Sequence, residues 1–131
     1  MDLLLDTHVL IWWMENDARL GTGFLVLLQG DKARPVVSAA SIWEMSIKMA
    51  TGRLKMDDPL ETWVPRLKDE WGVHSLPITF EHAAAVRTLP QHHHDPFDRM
   101  LVAQALCENL TLVTVDTAVT AYDVRILDPR L

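Results

Sequence analysis

Apolar residues in this chain gather into short continuous runs, separated by longer stretches with helical spacing. DLLLD (2–6), PVVSA (35–39), HSLPI (74–78) and TLVTVD (111–116) read as strands, with VRILD (124–128) a weaker fifth. The runs do not alternate with polar residues, which suits strands covered on both faces, as in a parallel sheet between helices. The intervening segments predict helices at about 7–14, 22–30, 40–51, 59–71, 80–88 and 96–108. Gly30, Gly52 and Gly72 follow helical segments, and Pro59 and Pro96 open them. In the last helix Phe97, Leu101 and Ala105 share a face with Met100 and Gln104, the spacing of a core-facing stripe. Strand–helix alternation implies one α/β domain over 1–131 with an open, mostly parallel sheet, whose strand order the pattern does not fix.

Charge and composition narrow the partners. The 131 residues are 49% hydrophobic, enough for a core, and 18 acids against 12 bases give a net charge of −6. That balance argues against a partner held mainly by a broad basic surface, though a bound divalent cation would change the local sign and admit nucleic acid. Cys107 is the single cysteine and sits in an apolar helical run, so a buried thiol in a reducing cytoplasm is expected. The opening MDLLLDTHVLIWWM has no basic segment or cleavage site, and Asp6 and His8 interrupt it, so neither a signal peptide nor a membrane span is expected. A soluble cytoplasmic protein is the expectation.

Each notable carboxylate has a plain structural reading by itself. Asp95 suits a helix N-cap before Pro96, and Asp98 falls in the first turn, where the helix dipole favours an acid. Ser41 and Glu44 have capping-box spacing, and Glu44 can also pair with Lys48 four residues on. Asp6 and Asp116 end strands and can each cap the next segment. Together they mean more, because helices that come after parallel strands begin at one shared edge of the sheet, the carboxyl end. Asp6, Glu44 and Asp116 lie at or just beyond such ends, while Asp98 is entered through a long loop that does not guarantee its place there. Four converging charges repel by about 4 kcal/mol per pair at close range. A hard divalent cation, Mg²⁺ or Mn²⁺, relieves that repulsion with oxygen ligands.

LLLDTHVLIWW, SAASIWEMSIK, HHDPFDRMLVAQA and TLVTVD resemble, in order and spacing, the acidic motifs of the PIN-domain family, and more closely those of VapC-type toxins of toxin–antitoxin pairs. The likeness runs from Asp2 to about Asp128. It implies a three-layer α/β/α sandwich with a central sheet of four to five mostly parallel strands and a Mg²⁺-dependent ribonuclease site (Mn²⁺ being an alternative ion). Asp6, Glu44, Asp98 and Asp116 match the four family acids, and Thr7 and Thr114 match supporting positions; Asp95 matches a structural one. Also implied are an RNA substrate, a VapB-type antitoxin partner and a homodimer, with the exposed apolar residues around the first two helices as its surface. Phosphodiester hydrolysis needs a water made more acidic by a metal. Asp6 and Asp98 are expected to bind the ion most directly, with Glu44 and Asp116 completing its water shell or a second site.

Other residues invite chemistry less strongly. His92, His93 and His94 lack zinc-site spacing and read as a solvated loop, with a contact to RNA open for His94. His8 reads as a locally packed residue rather than a general base. Arg99 suits a structural salt bridge, the alternatives being neutralisation of a site acid or a phosphate contact. Lys48, Arg53 and Lys55 read as ordinary solvated charge, the alternative being a modest cationic rim for an RNA backbone. Trp12 and Trp43 read as core, and part of Trp13 or Trp63 as dimer or partner surface. A phosphoacceptor receiver module would need an acid pair after the first strand and a late lysine, and no lysine occurs after Lys68. An inactive scaffold that binds RNA or protein is the other alternative, against which the presence of all four acids argues.

Overall fold

The computed structural model describes residues 1–93 and 95–131, so the reading of His94 as an RNA contact lies outside the described residues. Strands β1 (Asp2–Leu5), β2 (Arg34–Ser38), β3 (His74–Leu76), β4 (Thr111–Val113) and β5 (Ile126–Leu127) form one sheet in the order β3-β2-β1-β4-β5. Every pairing is parallel, with Leu4 opposite Val36 on one side and Leu112 on the other. The helices are α1 (Thr7–Met14), α2 (Thr22–Gln29), α3 (Ala39–Ala50), α4 (Leu60–Asp69), α5 (Phe80–Ala85) and α6 (Pro96–Glu108), with short 3₁₀ turns at Val86–Thr88 and Thr117–Ala121. All five expected strands form; β2 keeps five residues but starts one earlier than its apolar run, and the other four are shorter than theirs. Pro77, which has no N–H to give the ladder, comes directly after the end of β3 at Leu76.

Continuous apolar runs reflect cover on both faces. Side chains alternate across a strand, so Leu3, Leu5, Val37 and Val113 enter a core with α1, α2 and α4, while Leu4, Val36 and Leu112 enter a second core with α6. Leu3, Leu4 and Leu5 are completely buried, each contributing about 1.5–3 kcal/mol of hydrophobic stabilisation. The stripe on α6 behaves as its spacing requires: Leu101 and Ala105 are in the second core and Phe97 and Met100 pack on it.

Several expectations are corrected. Cys107 is exposed, as are its neighbours over 106–109 at the end of α6. Trp43 is 60% exposed on α3, whereas Trp63 is buried on the inner side of α4 with Arg66 stacked on its ring. His8 is exposed rather than packed. The large exposed apolar side chains gather less on the first two helices, where Val26 is the example, than at Trp43, Ile78 and Phe80. Among the described residues no helix is long and apolar enough to cross a membrane.

Candidate active site

Parallel topology delivers three acids to one edge. Asp6 comes directly after β1 and caps α1, its Oδ1 accepting from Val9 N at 2.9 Å. Its Oδ2 accepts from the Thr114 hydroxyl, which in turn accepts from Asp116 N at 3.0 Å. Thr114 thus ties the ends of β1 and β4 together through buried groups. Asp116 caps the 3₁₀ turn beyond it through Oδ1 and Ala118 N, leaving Oδ2 directed elsewhere. Glu44 sits in the second turn of α3 after β2. The capping box expected for Ser41 and Glu44 does not form, because α3 starts two residues before Ser41 and Ser38 is its cap. Ser41 instead accepts from the Thr7 hydroxyl at 3.1 Å, so Thr7 joins α1 to α3.

Asp98 reaches the same edge from the other direction. Asp95 caps α6 as expected, its Oδ1 accepting from Phe97 N and Asp98 N. The Asp98 carboxyl is thereby free of capping, and its neighbours declare themselves electrostatically. Burial first, then the charges of Asp95, Asp6 and Glu44, push its pKa up to about 7 against the pull of His93. Asp6 is raised as well, by burial first and in part by Asp116, although Thr114, Val9 and His8 oppose the shift. Asp98 therefore feels the charges of Asp6 and Glu44, and Asp6 feels that of Asp116, as convergence on one edge requires.

His93 belongs to this cluster, contrary to its reading as part of a solvated loop. Its Nε2 bonds Asp116 Oδ2 at 2.8 Å and lies 3.1 Å from Asp98 Oδ2. Ligand atoms of His93, Asp98 and Asp116 fall within 4.8 Å of one another. Burial draws the imidazole pKa down, but the Asp116 bond and the charges of Asp98, Asp116 and Asp95 raise it on balance. Sequence spacing gave no sign of this, because the loop is set by a distant brace. Arg99, expected in a salt bridge, has no carboxylate partner among the described residues. Its buried guanidinium donates to the carbonyls of Pro90 and Val86 and to the Tyr122 hydroxyl, at 2.9, 3.0 and 3.2 Å. Tyr122 donates to Pro90 O and accepts from His93 N.

The donor set fits a divalent cation. Glu44 is buried; its Oε2 holds Lys48 Nζ at 2.7 Å, but Oε1 has no partner among the described residues. A buried carboxylate oxygen left bare is costly unless something positive meets it. Burial first, and then the charges of Asp95, Asp6 and Glu44, raise Asp98 to about 7, the response of a carboxyl set among other acids. Carboxylate oxygens in this number suit a hard ion such as Mg²⁺ or Mn²⁺.

Comparison with known proteins agrees with this frame. Residues 3–125 match the family model of the PIN domain. Ribonuclease VapC22 of Mycobacterium tuberculosis is 29% identical over 122 residues, covering 92% of this chain and 91% of that one. Among solved structures, VapBC2 of Rickettsia felis bound to a promoter DNA fragment aligns with a TM-score of 0.72 at 12% identity, over 97% of this chain and 98% of that one. VapBC-1 of nontypeable Haemophilus influenzae aligns at 0.67 and 22% identity over 98% of both. These two likenesses speak for the fold alone. With the family model spanning nearly the whole length and a parallel sheet that gathers its acids at one edge, the chain belongs to the PIN domain family.

Proposed function

We propose that this protein is a metal-dependent endoribonuclease, the toxin of a VapBC-type pair, acting in the cytoplasm as a homodimer and silenced by a VapB-type antitoxin. The observation that carries the reading is the convergence of Asp6, Glu44, Asp98 and Asp116 on one sheet edge, with a buried Glu44 oxygen left unpartnered. The VapC22 relative supports the class of activity, and the VapBC proteins whose fold this chain shares are the motive for proposing a partner of VapB type. Exposed Trp43, Ile78 and Phe80 supply apolar surface for self-association.

Asp6, Glu44 and Asp98 would hold Mg²⁺ or Mn²⁺, with Asp116 at the margin of its water shell. When bound, such an ion acidifies a water and offsets charge on the leaving oxygen. Thr114 and Val9 N hold the Asp6 carboxylate in a fixed orientation, so that it needs no rearrangement to act. Thr7 supports the site at one remove, by fixing α1 against α3. Asp116, the most open of the four with 36% of its side chain exposed, would take a proton from an attacking water at Oδ2 when His93 is away from it. Lys48 neutralises Glu44 Oε2 and offers an ammonium at the rim, where a phosphate would approach.

The test is cleavage of a mixed RNA substrate with Mg²⁺, with EDTA, and with Asp98→Asn. Cleavage that needs the ion and falls by at least about a hundredfold in the variant is expected. Cleavage undiminished by EDTA would remove the mechanism, and a purified chain that binds RNA without cutting it would leave a scaffold.

A further inference from the structure

We infer that His93 is a built-in competitor of the divalent ion: its Nε2–H occupies, between Asp98 and Asp116, ground that positive charge must take for the site to load. The inference rests on the metal-dependent reading of the acid cluster and goes beyond it by assigning a role to a residue outside the acid set. Three contacts hold His93 in place. Its backbone N–H donates to the Tyr122 hydroxyl at 3.1 Å, its Nδ1 accepts from Asp95 N at 3.1 Å, and its Nε2 meets Asp116 at 2.8 Å. Pro90, earlier in the same loop, is fixed by both Arg99 and Tyr122.

The backbone bond at Nδ1 decides what His93 is. A neutral imidazole has one N–H and one lone pair, and the lone pair of this ring faces the Asp95 N–H. The hydrogen therefore lies on Nε2, and a protonated ring would carry one there too. In either form Nε2 is a donor to carboxylates and has no lone pair for a metal. His93 thus satisfies the acids as a cation would, without being a ligand for one. Hard divalent ions prefer oxygen in any case. Glu44 Oε1, buried and unpartnered, is not served by His93 and remains the cluster's unmet demand for positive charge. Loading the site would then require the imidazole to leave Asp98 and Asp116.

The experiment measures Mn²⁺ binding by calorimetry on the full chain and on His93→Ala, with His93→Phe as a second variant that fills the space without a donor. Removing the competitor should tighten binding by about tenfold, the worth of one hydrogen bond to a charged group. Equal affinity in all three proteins would overturn the inference and leave the metal-dependent reading standing. Weaker binding in both variants would overturn it in favour of His93 as a ligand. No binding by any of the three would overturn both. A measurement on the unaltered chain avoids dependence on how the variants fold. In a Mg²⁺ titration monitored by imidazole ¹⁵N resonances, Nε2 of His93 should shift on losing its carboxylate while keeping its proton. Loss of that proton, or no change at saturation, would contradict the inference.

Discussion

Glu44 has two oxygens with different fates: one pairs with Lys48 and the other is buried with nothing to meet among the described residues. Glu44→Gln removes the negative charge and keeps the volume, so it should weaken Mn²⁺ binding by at least about tenfold while leaving the thermal midpoint in EDTA unchanged or higher. Calorimetry and a melting curve on the same preparation check both halves; a lower midpoint in EDTA would mean that the charge is structural. Arg99 predicts the reverse. Its guanidinium feeds several acceptors in the 86–93 loop and on Tyr122, so Arg99→Met removes donors from part-buried carbonyls and should cost about 2 kcal/mol of unfolding free energy. Arg99→Lys should recover only part of that, since one ammonium cannot span the fan of acceptors. Denaturant titration gives the comparison, and full recovery by lysine would show that charge rather than geometry matters.

The start of α6 separates capping from electrostatics. Asp95 does two things: it accepts from Phe97 N and Asp98 N, and its charge raises the Asp98 pKa. Asp95→Asn keeps the cap and removes the charge, so stability should hold within a few tenths of a kcal/mol while the Asp98 pKa falls. Asp95→Ala should lose about 1 kcal/mol as well. Carboxyl chemical shifts tracked through a pH titration distinguish the two. This helix also shows what the sequence could tell. The cap, Pro96 at the first turn and the apolar stripe are local features, and DPFD displays the first two directly. The place of Asp6, Glu44 and Asp116 was also open to inference, since apolar strand runs imply a parallel sheet and such a sheet has one carboxyl edge. What stayed hidden depends on contacts across long separations. His93 is positioned by Tyr122, 29 residues away, and nothing in HHHDPFDR marks which histidine turns inward. Likewise the capping box at Ser41 and Glu44 matched by spacing, but Ser38 at the end of β2 had already started the helix.

Across the whole molecule the acids make stability depend on pH in a direction opposite to ordinary acid denaturation. Asp98 is raised to about 7 by burial and neighbouring charge, Asp6 is raised, and His93 is raised by the carboxylates it meets. A group whose pKa is higher folded than unfolded holds protons more tightly when folded. Its contribution is complete below the unfolded value and disappears as pH climbs through the folded one. For Asp98 that window runs from 3.8 to about 7. The lowered acids, Asp2, Asp17 and Asp128, are paired at the surface with Arg34, Arg19 and Arg130, and their effect falls below this window. In EDTA the protein should therefore lose stability between about pH 4 and about pH 7. With Asp98 partly exposed, the loss should be about 1–2 kcal/mol, a few degrees in melting temperature for a chain of this size. Excess Mg²⁺ should cancel the slope, because an ion that binds the folded state stabilises it most where the acids have given up their protons. Asp98→Asn should flatten the EDTA curve by itself. Melting temperatures in EDTA that rise with pH over this range would mean that the four carboxylates do not share one pocket of charge, and the proposed metal site would lose its electrostatic basis.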